Sequence, residues 1–138
     1  MERAEIEEKL ALLEQYKALL ERLGKQDEAL RGEVEEHMRA RDTLAKLDTM
    51  KKGDEMLVPV GANCFIYAGV KNATKSLSSI GAGIAVEDTL KNTIVRLDGA
   101  VKDLNDAGQK IAQRVSEVEC KARELAAEVD KAYREMPQ

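Results

Sequence analysis

LKNTIVRLDGAVKDLNDAGQKIAQRVSEVECKARELAAEVDKAYREMPQ, residues 90–138, is the stretch that decides the fold. Steps of four and three from Leu90 reach Ile94, Leu97, Val101, Leu104, Gly108, Ile111, Val115, Val118, Ala122, Leu125, Val129, Ala132 and Met136, all apolar except Gly108. The charged residues between Glu87 and Glu135 all fall off this stripe. A heptad repeat sustained this long, with a mean step of 3.5, predicts a helix that supercoils left-handedly against a partner. At about 1.5 Å per residue the helix is roughly 70 Å long, and Pro137 stops it.

Working outward, residues 1–52 form the other long helix, regular from about Ile6 to Lys52. Ile6, Leu13, Leu20 and Val34 alternate with Tyr16, Leu23, Leu30 and Leu44, while Asp27, His37 and Arg41 interrupt the register. Gly24 and Gly32 each weaken a helix interior by up to about 1 kcal/mol relative to Ala, so its middle is the more flexible part. Lys51 and Lys52 favour the negative end of the helix dipole, and Gly53 suits a left-handed cap.

Between the helices, residues 53–86 differ in composition: five of the nine glycines lie here, and only Asp54, Glu55, Lys71 and Lys75 are charged. Met56-Leu57-Val58-Pro59-Val60 and Cys64-Phe65-Ile66-Tyr67-Ala68-Gly69-Val70 read as strands around a turn at Gly61-Ala62-Asn63. Ser76 to Ile80 and Ile84 to Val86 read as two further strands around Gly81-Ala82-Gly83. Pro59 has no N–H for a ladder and belongs at an edge or a bulge. Residues 87–138 are then the second helix. The fold class is mostly α with a small β region: an antiparallel coiled-coil hairpin with two β-hairpins at its closed end. Isolated hairpins are marginal in water and expose unpaired edges. The chain should therefore oligomerise through its β segment.

Composition narrows the function. Charged residues make up 35% and aromatic residues 3%, which suits long helices with a narrow apolar seam better than a compact globule. The net charge of −4, with signs interleaved, disfavours nucleic acid as a partner. No stretch approaches the roughly 18 consecutive apolar residues of a membrane span, and Met1-Glu2-Arg3-Ala4-Glu5 lacks the apolar core of a signal peptide. A cytoplasmic protein without membrane contact is expected. Cys64 and Cys120 lie far apart and read as reduced, small apolar fillers.

Signals for an enzyme are poor. Gly81-Ala82-Gly83-Ile84-Ala85-Val86 opens like a dinucleotide fingerprint, but a tight β turn is the better reading because the third glycine is missing. His37 is the only histidine, so catalytic triads and histidine metal sites lack material. No catalytic residue, metal ligand or cofactor is expected. Asn72-Ala73-Thr74 fits a glycosylation acceptor by accident. One feature hints at binding. Near the open end the first helix carries Ile6, Leu10, Leu12, Leu13, Tyr16, Leu19 and Leu20, of which Leu12 and Leu19 fall outside the seam register. The opposing end adds Val129, Tyr133 and Met136, and Met1 and Met136 suit an adaptable surface. Such excess either marks an interaction site or widens the seam.

The central segment resembles a known family. Leu57-Val58-Pro59-Val60-Gly61-Ala62, Phe65-Ile66 and Ile80-Gly81-Ala82-Gly83-Ile84-Ala85-Val86-Glu87 are similar to the core of archaeal prefoldin alpha subunits, and the helix–two hairpins–helix layout covers the whole chain as a single prefoldin-like domain, residues 1–138. The resemblance implies an ATP-independent chaperone, a hexamer of two alpha and four beta subunits. Its core would be a β-barrel in which Leu57, Val58, Val60, Phe65, Ile66, Tyr67, Val70, Ile80, Ile84 and Val86 assemble. Unfolded client proteins would be held at the coiled-coil tips by Ile6, Leu10, Leu12, Leu13, Tyr16, Leu19, Val129, Tyr133 and Met136, then passed to a group II chaperonin. The competing expectation is a structural coiled-coil protein, a homo-oligomer or filament like the gamma-type prefoldins.

Overall fold

The computed structural model describes residues 2–137. Its elements run α1 (Arg3–Leu47), β1 (Glu55–Gly61), β2 (Cys64–Gly69), β3 (Lys75–Gly81), β4 (Ile84–Thr89) and α2 (Leu90–Glu135). The chain divides into two compact units: one holds the chain up to Glu33 and from Leu104 onward, the other Val34–Asp103.

In the first unit α1 and α2 pair antiparallel. Ile6, Val129 and Ala132 form a buried cluster against which Leu13 and Met136 pack. Beside it Lys9 Nζ reaches Glu128 Oε2 at 2.7 Å. Leu23 and Val118 are the other buried seam residues of this unit. Every position of the heptad stripe, from Leu90 in the second unit to Met136 just past α2 in the first, is buried or half-buried. Asp27, at a seam position of α1, pairs with Arg31 of its own helix at 2.9 Å.

In the second unit the seam of α1 continues through Val34, His37, Arg41 and Leu44, all half-buried. The helix ends at Leu47, not at Lys52 as the Lys-Lys-Gly signal suggests. Three-residue turns close it: Thr49 N–H donates to Lys46 O, and Met50 N–H to Leu47 O, both at 3.0 Å. Thr49 Oγ1 also donates to Lys46 O, at 2.6 Å. A short hydroxyl that competes for the last carbonyls stops a helix before the dipole preference of Lys51 and Lys52 counts. Gly53 does have a positive φ, +94°, but its N–H donates to Val70 O at 2.7 Å, so it opens the first hairpin instead of capping α1.

The start of α2 also differs from expectation. Glu87 and Asp88 extend β4, and the helix begins at Leu90. Thr89 is the N-cap, with Oγ1 accepting the Asn92 N–H at 3.2 Å, the bond that satisfies one of the orphan donors of a first turn.

The four strands make two separate two-stranded antiparallel sheets, β1–β2 and β3–β4. Their registers are the same at a constant offset of 20 residues: Glu55 pairs with Gly69 as Lys75 pairs with Thr89, and Gly61 with Cys64 as Gly81 with Ile84. The dihedrals repeat too. Gly61 and Gly81 have φ +110° and +97°, Ala62 and Ala82 +50° and +52°, Asn63 and Gly83 +60° and +74°. Positive φ at both loop residues is what a type I′ hairpin turn needs. Each loop is thus two residues long, and the preceding glycine belongs to the strand, at a register shift that follows Pro59 in β1 and Ser79 in β3. The proline does sit at a bulge. Closing bonds repeat as well: Val70 N–H donates to Asp54 O at 2.8 Å, Leu90 N–H to Thr74 O at 3.0 Å.

The second hairpin is tied to α2 by hydroxyl chemistry. Thr93, 3% exposed, donates from Oγ1 to Thr89 O at 3.0 Å and so accepts from Ser76 Oγ, 2.7 Å away. Arg96 Nη2 donates to Ser78 Oγ at 2.5 Å.

Candidate functional site

Two surfaces stand out, one in each unit. In the second unit the hairpins leave large apolar side chains uncovered. Strand alternation puts Leu57, Pro59, Phe65 and Tyr67 on one face of the first hairpin, with Leu57 opposite Tyr67 and Pro59 opposite Phe65. Leu57, Val60, Phe65, Ile66 and Tyr67 are all exposed, Tyr67 at 78%. In the second hairpin Ile80, Ile84 and Val86 are exposed, but the face equivalent to Leu57–Tyr67 carries Leu77 opposite Glu87 and Ser79 opposite Ala85. The first hairpin is therefore apolar where the second is half polar.

Of the ten residues expected to assemble the β core, eight are exposed in this way. Val58 is half-buried, and Val70 is buried within its own chain, 5% exposed, just beyond β2. Leu77, 71% exposed, was not among them. The 20-residue repeat, which puts it in the place of Leu57, is the signal that finds it.

At the helix ends the structure divides the nine expected tip residues. Ile6 and Val129 are core, and Leu13 and Met136 pack on that core. Tyr16 and Leu19 are half-buried. Leu10 and Leu12 are each 37% exposed and Tyr133 is 53% exposed, so these three present apolar surface to solvent as the chain stands. In heptad terms Leu10 and Tyr133 flank one side of the seam and Leu12 and Leu19 the other.

Other expectations fall on these elements. Cys64 and Cys120 are both exposed, so they are not the apolar fillers that composition suggests. Cys64 follows a hairpin turn, and Cys120 lies off the α2 seam. Gly81-Ala82-Gly83 is the end of β3 and its turn. Asn72 is engaged by its own loop, its Oδ1 accepting the N–H of Thr74 at 2.9 Å and of Lys75 at 3.2 Å. Among the described residues no group of three or more His, Cys, Asp and Glu could hold a metal ion, and no helix is long and apolar enough to cross a membrane.

Comparison with known proteins gives a consistent answer. The family profile described as prefoldin subunit matches residues 3–135. The prefoldin alpha subunit of Methanococcus aeolicus is 25% identical over 128 residues, covering 90% of this chain and 89% of that one. A chain in the cryo-EM structure of filamentous prefoldin from Methanocaldococcus jannaschii has the same fold, with a TM-score of 0.70 at 24% identity over 86% of this chain and 98% of its own. The crystal structure of the prefoldin beta subunit from Thermococcus strain KS-1 aligns at a TM-score of 0.63 and 16% identity, over 96% and 95% of the two chains. With paired helices, paired hairpins and a profile match over nearly its full length, the chain belongs to the prefoldin family of chaperone subunits.

Proposed function

We propose that the chain is an alpha-type subunit of an ATP-independent cytoplasmic chaperone, working as one functional domain without a catalytic centre. It assembles through its hairpins with beta-type subunits into an α2β4 hexamer. It holds unfolded proteins at the helix ends and hands them to a group II chaperonin. The observation that carries this reading is the coexistence of two uncovered apolar surfaces on one chain: the hairpin faces of Leu57, Phe65, Tyr67, Ile80 and Ile84, and the helix-end group of Leu10, Leu12 and Tyr133.

The two surfaces ask for different partners. Strand edges select another strand through main-chain hydrogen bonds, which gives a defined assembly. A few leucines and a tyrosine on a helix end have no such geometry. They gain about 25 cal/mol per Å² of apolar area buried, whatever the sequence that covers them. Several such arms on one particle add their weak contacts through effective concentration.

The unpaired edges favour a second reading, a homomeric filament grown through the same hairpins, since heterologous contacts that do not close propagate. Native mass spectrometry of the tagged chain purified from its own cytoplasm separates the two. A closed particle with two copies of this chain and four of a second subunit, able to suppress light scattering by an aggregating client, is the expected result. An open-ended ladder of homomeric masses overturns it in favour of the filament.

A further inference from the structure

The seam of the first unit is not uniformly packed. Toward the helix ends it closes tightly over Ile6, Val129 and Ala132, and Leu23 and Val118 are buried further along. Alongside these two residues and beyond them the packing loosens. Gly108 occupies a half-buried seam position of α2 and brings no side chain, and a Cβ added there meets nothing within 4 Å; Gly24 of α1 is exposed on the flank of the seam. Asp27, which should fill the seam from α1, turns to Arg31 on its own helix. Two clefts lie along this stretch, both touching Ile111. One, of about 360 Å³, runs past Leu20, Gly24, Asp27 and Val115. The other, of about 320 Å³, runs past Gln26, Ala29 and Leu30.

We propose that this gap is a built-in opening point, at which the two helices part locally while the helix ends beyond it stay paired. Three independent costs of holding the seam shut coincide here. Cross-seam contacts are missing, so closing gains little dispersion energy. Glycine, and to a lesser degree aspartate, is a poor helix former, so the backbone on both sides loses the most freedom when ordered. The clefts are open to solvent, with Asp27 and Arg31 in the wall of one, so holding the helices together there withdraws little apolar surface from water. Glycine in a long helix is also where a bend is absorbed. On the functional reading given above, which this inference presupposes for its use but not for its truth, yielding at this level lets a paired, apolar helix end accommodate clients of different girth.

The ordinary expectation for a helical hairpin is that amide exchange is fastest at the free ends and slows steadily inward. The proposal reverses that order in one place. In hydrogen exchange on the assembled wild-type chain, amides of residues 24–31 and 107–112 should exchange about tenfold or more faster than those of residues 9–19 and 122–129 on the side of the helix ends. The double variant Gly24→Ala with Gly108→Leu should abolish the difference, and Asp27→Leu alone should reduce it. A smooth inward gradient in the wild type overturns the proposal, as does a fast zone that survives the double variant. Client holding, read by light scattering on the same samples, separates the two claims. A wild type with the fast zone that holds no client supports the opening point and overturns the functional reading.

Discussion

Arg41 Nε donates to Asp98 Oδ1 at 3.0 Å, joining a seam position of α1 to the flank of α2. This contact explains how an arginine can stand in an apolar register: its stem covers the seam while the guanidinium reaches an acid outside it. The two side chains keep 40% and 53% of their exposure, so solvent screens the pair and its worth is at most about 1 kcal/mol. Asp98→Ala should therefore lower stability by less than that in a urea melt followed by circular dichroism. Arg41→Leu, which makes the stripe apolar at this level, should leave stability unchanged or raise it. A loss above about 2 kcal/mol for Arg41→Leu would show that the pair, and not the seam, holds this level of the unit.

The buried cluster at the helix ends behaves differently. Ile6 is 2% exposed and packs with Val129 and Ala132. Ile6→Ala removes buried methyl groups from this cluster, and should cost about 2–5 kcal/mol. Leu12→Ala, on the solvent side, should stay within about 0.5–1 kcal/mol. Thermal melts of the two variants side by side check the difference. Equal losses would mean that Leu12 belongs to the seam.

These contrasts show what the residue pattern could and could not reveal. The α2 seam was legible because charge avoids it over its whole length, and every one of its positions is at least half-buried. The α1 seam was blurred by Asp27, His37 and Arg41, since a one-dimensional stripe does not show that Asp27 and Arg41 have ion-pair partners. Helix limits were missed by five residues at Leu47 and three at Leu90. There Thr49 and Thr89 act through single hydroxyl bonds, which residue propensities do not resolve. At the helix ends the pattern could name apolar residues but not divide them, because burial of Ile6 and exposure of Leu10 depend on which flank faces the partner helix. The 20-residue repeat was present in Val60-Gly61-Ala62 and Ile80-Gly81-Ala82, yet the two copies carry such different faces that only the matching registers and dihedrals make it plain.

That repeat makes a paired prediction. Gly61 and Gly81 hold equivalent backbone at φ +110° and +97°, a region in which any side chain is strained. Gly61→Ala and Gly81→Ala should each cost about 1–3 kcal/mol, and by similar amounts. Gly69, which carries no positive φ and has open space around its Cβ, should accept alanine with a much smaller change. Urea denaturation of the three variants measures this. A Gly61→Ala loss no larger than that of Gly69→Ala would refute the shared turn geometry.

The two exposed surfaces should separate under mutation. Leu13 packs on the helix-end core, so changing it would confuse binding with stability. The clean set is Leu10→Ser, Leu12→Ser and Tyr133→Ser together, all at exposed positions. This triple variant should keep its assembly mass and its helical signal while losing at least half of its capacity to suppress client light scattering. Phe65→Asp should do the opposite. It places a charge on the face shared with Leu57 and Tyr67, where burial against a neighbouring strand would strand it without a partner. Its sedimentation profile should shift to smaller species while the circular dichroism of α1 and α2 persists. An unchanged profile for Phe65→Asp would remove the hairpin face from the assembly, and full client suppression by the triple variant would remove the helix ends from binding.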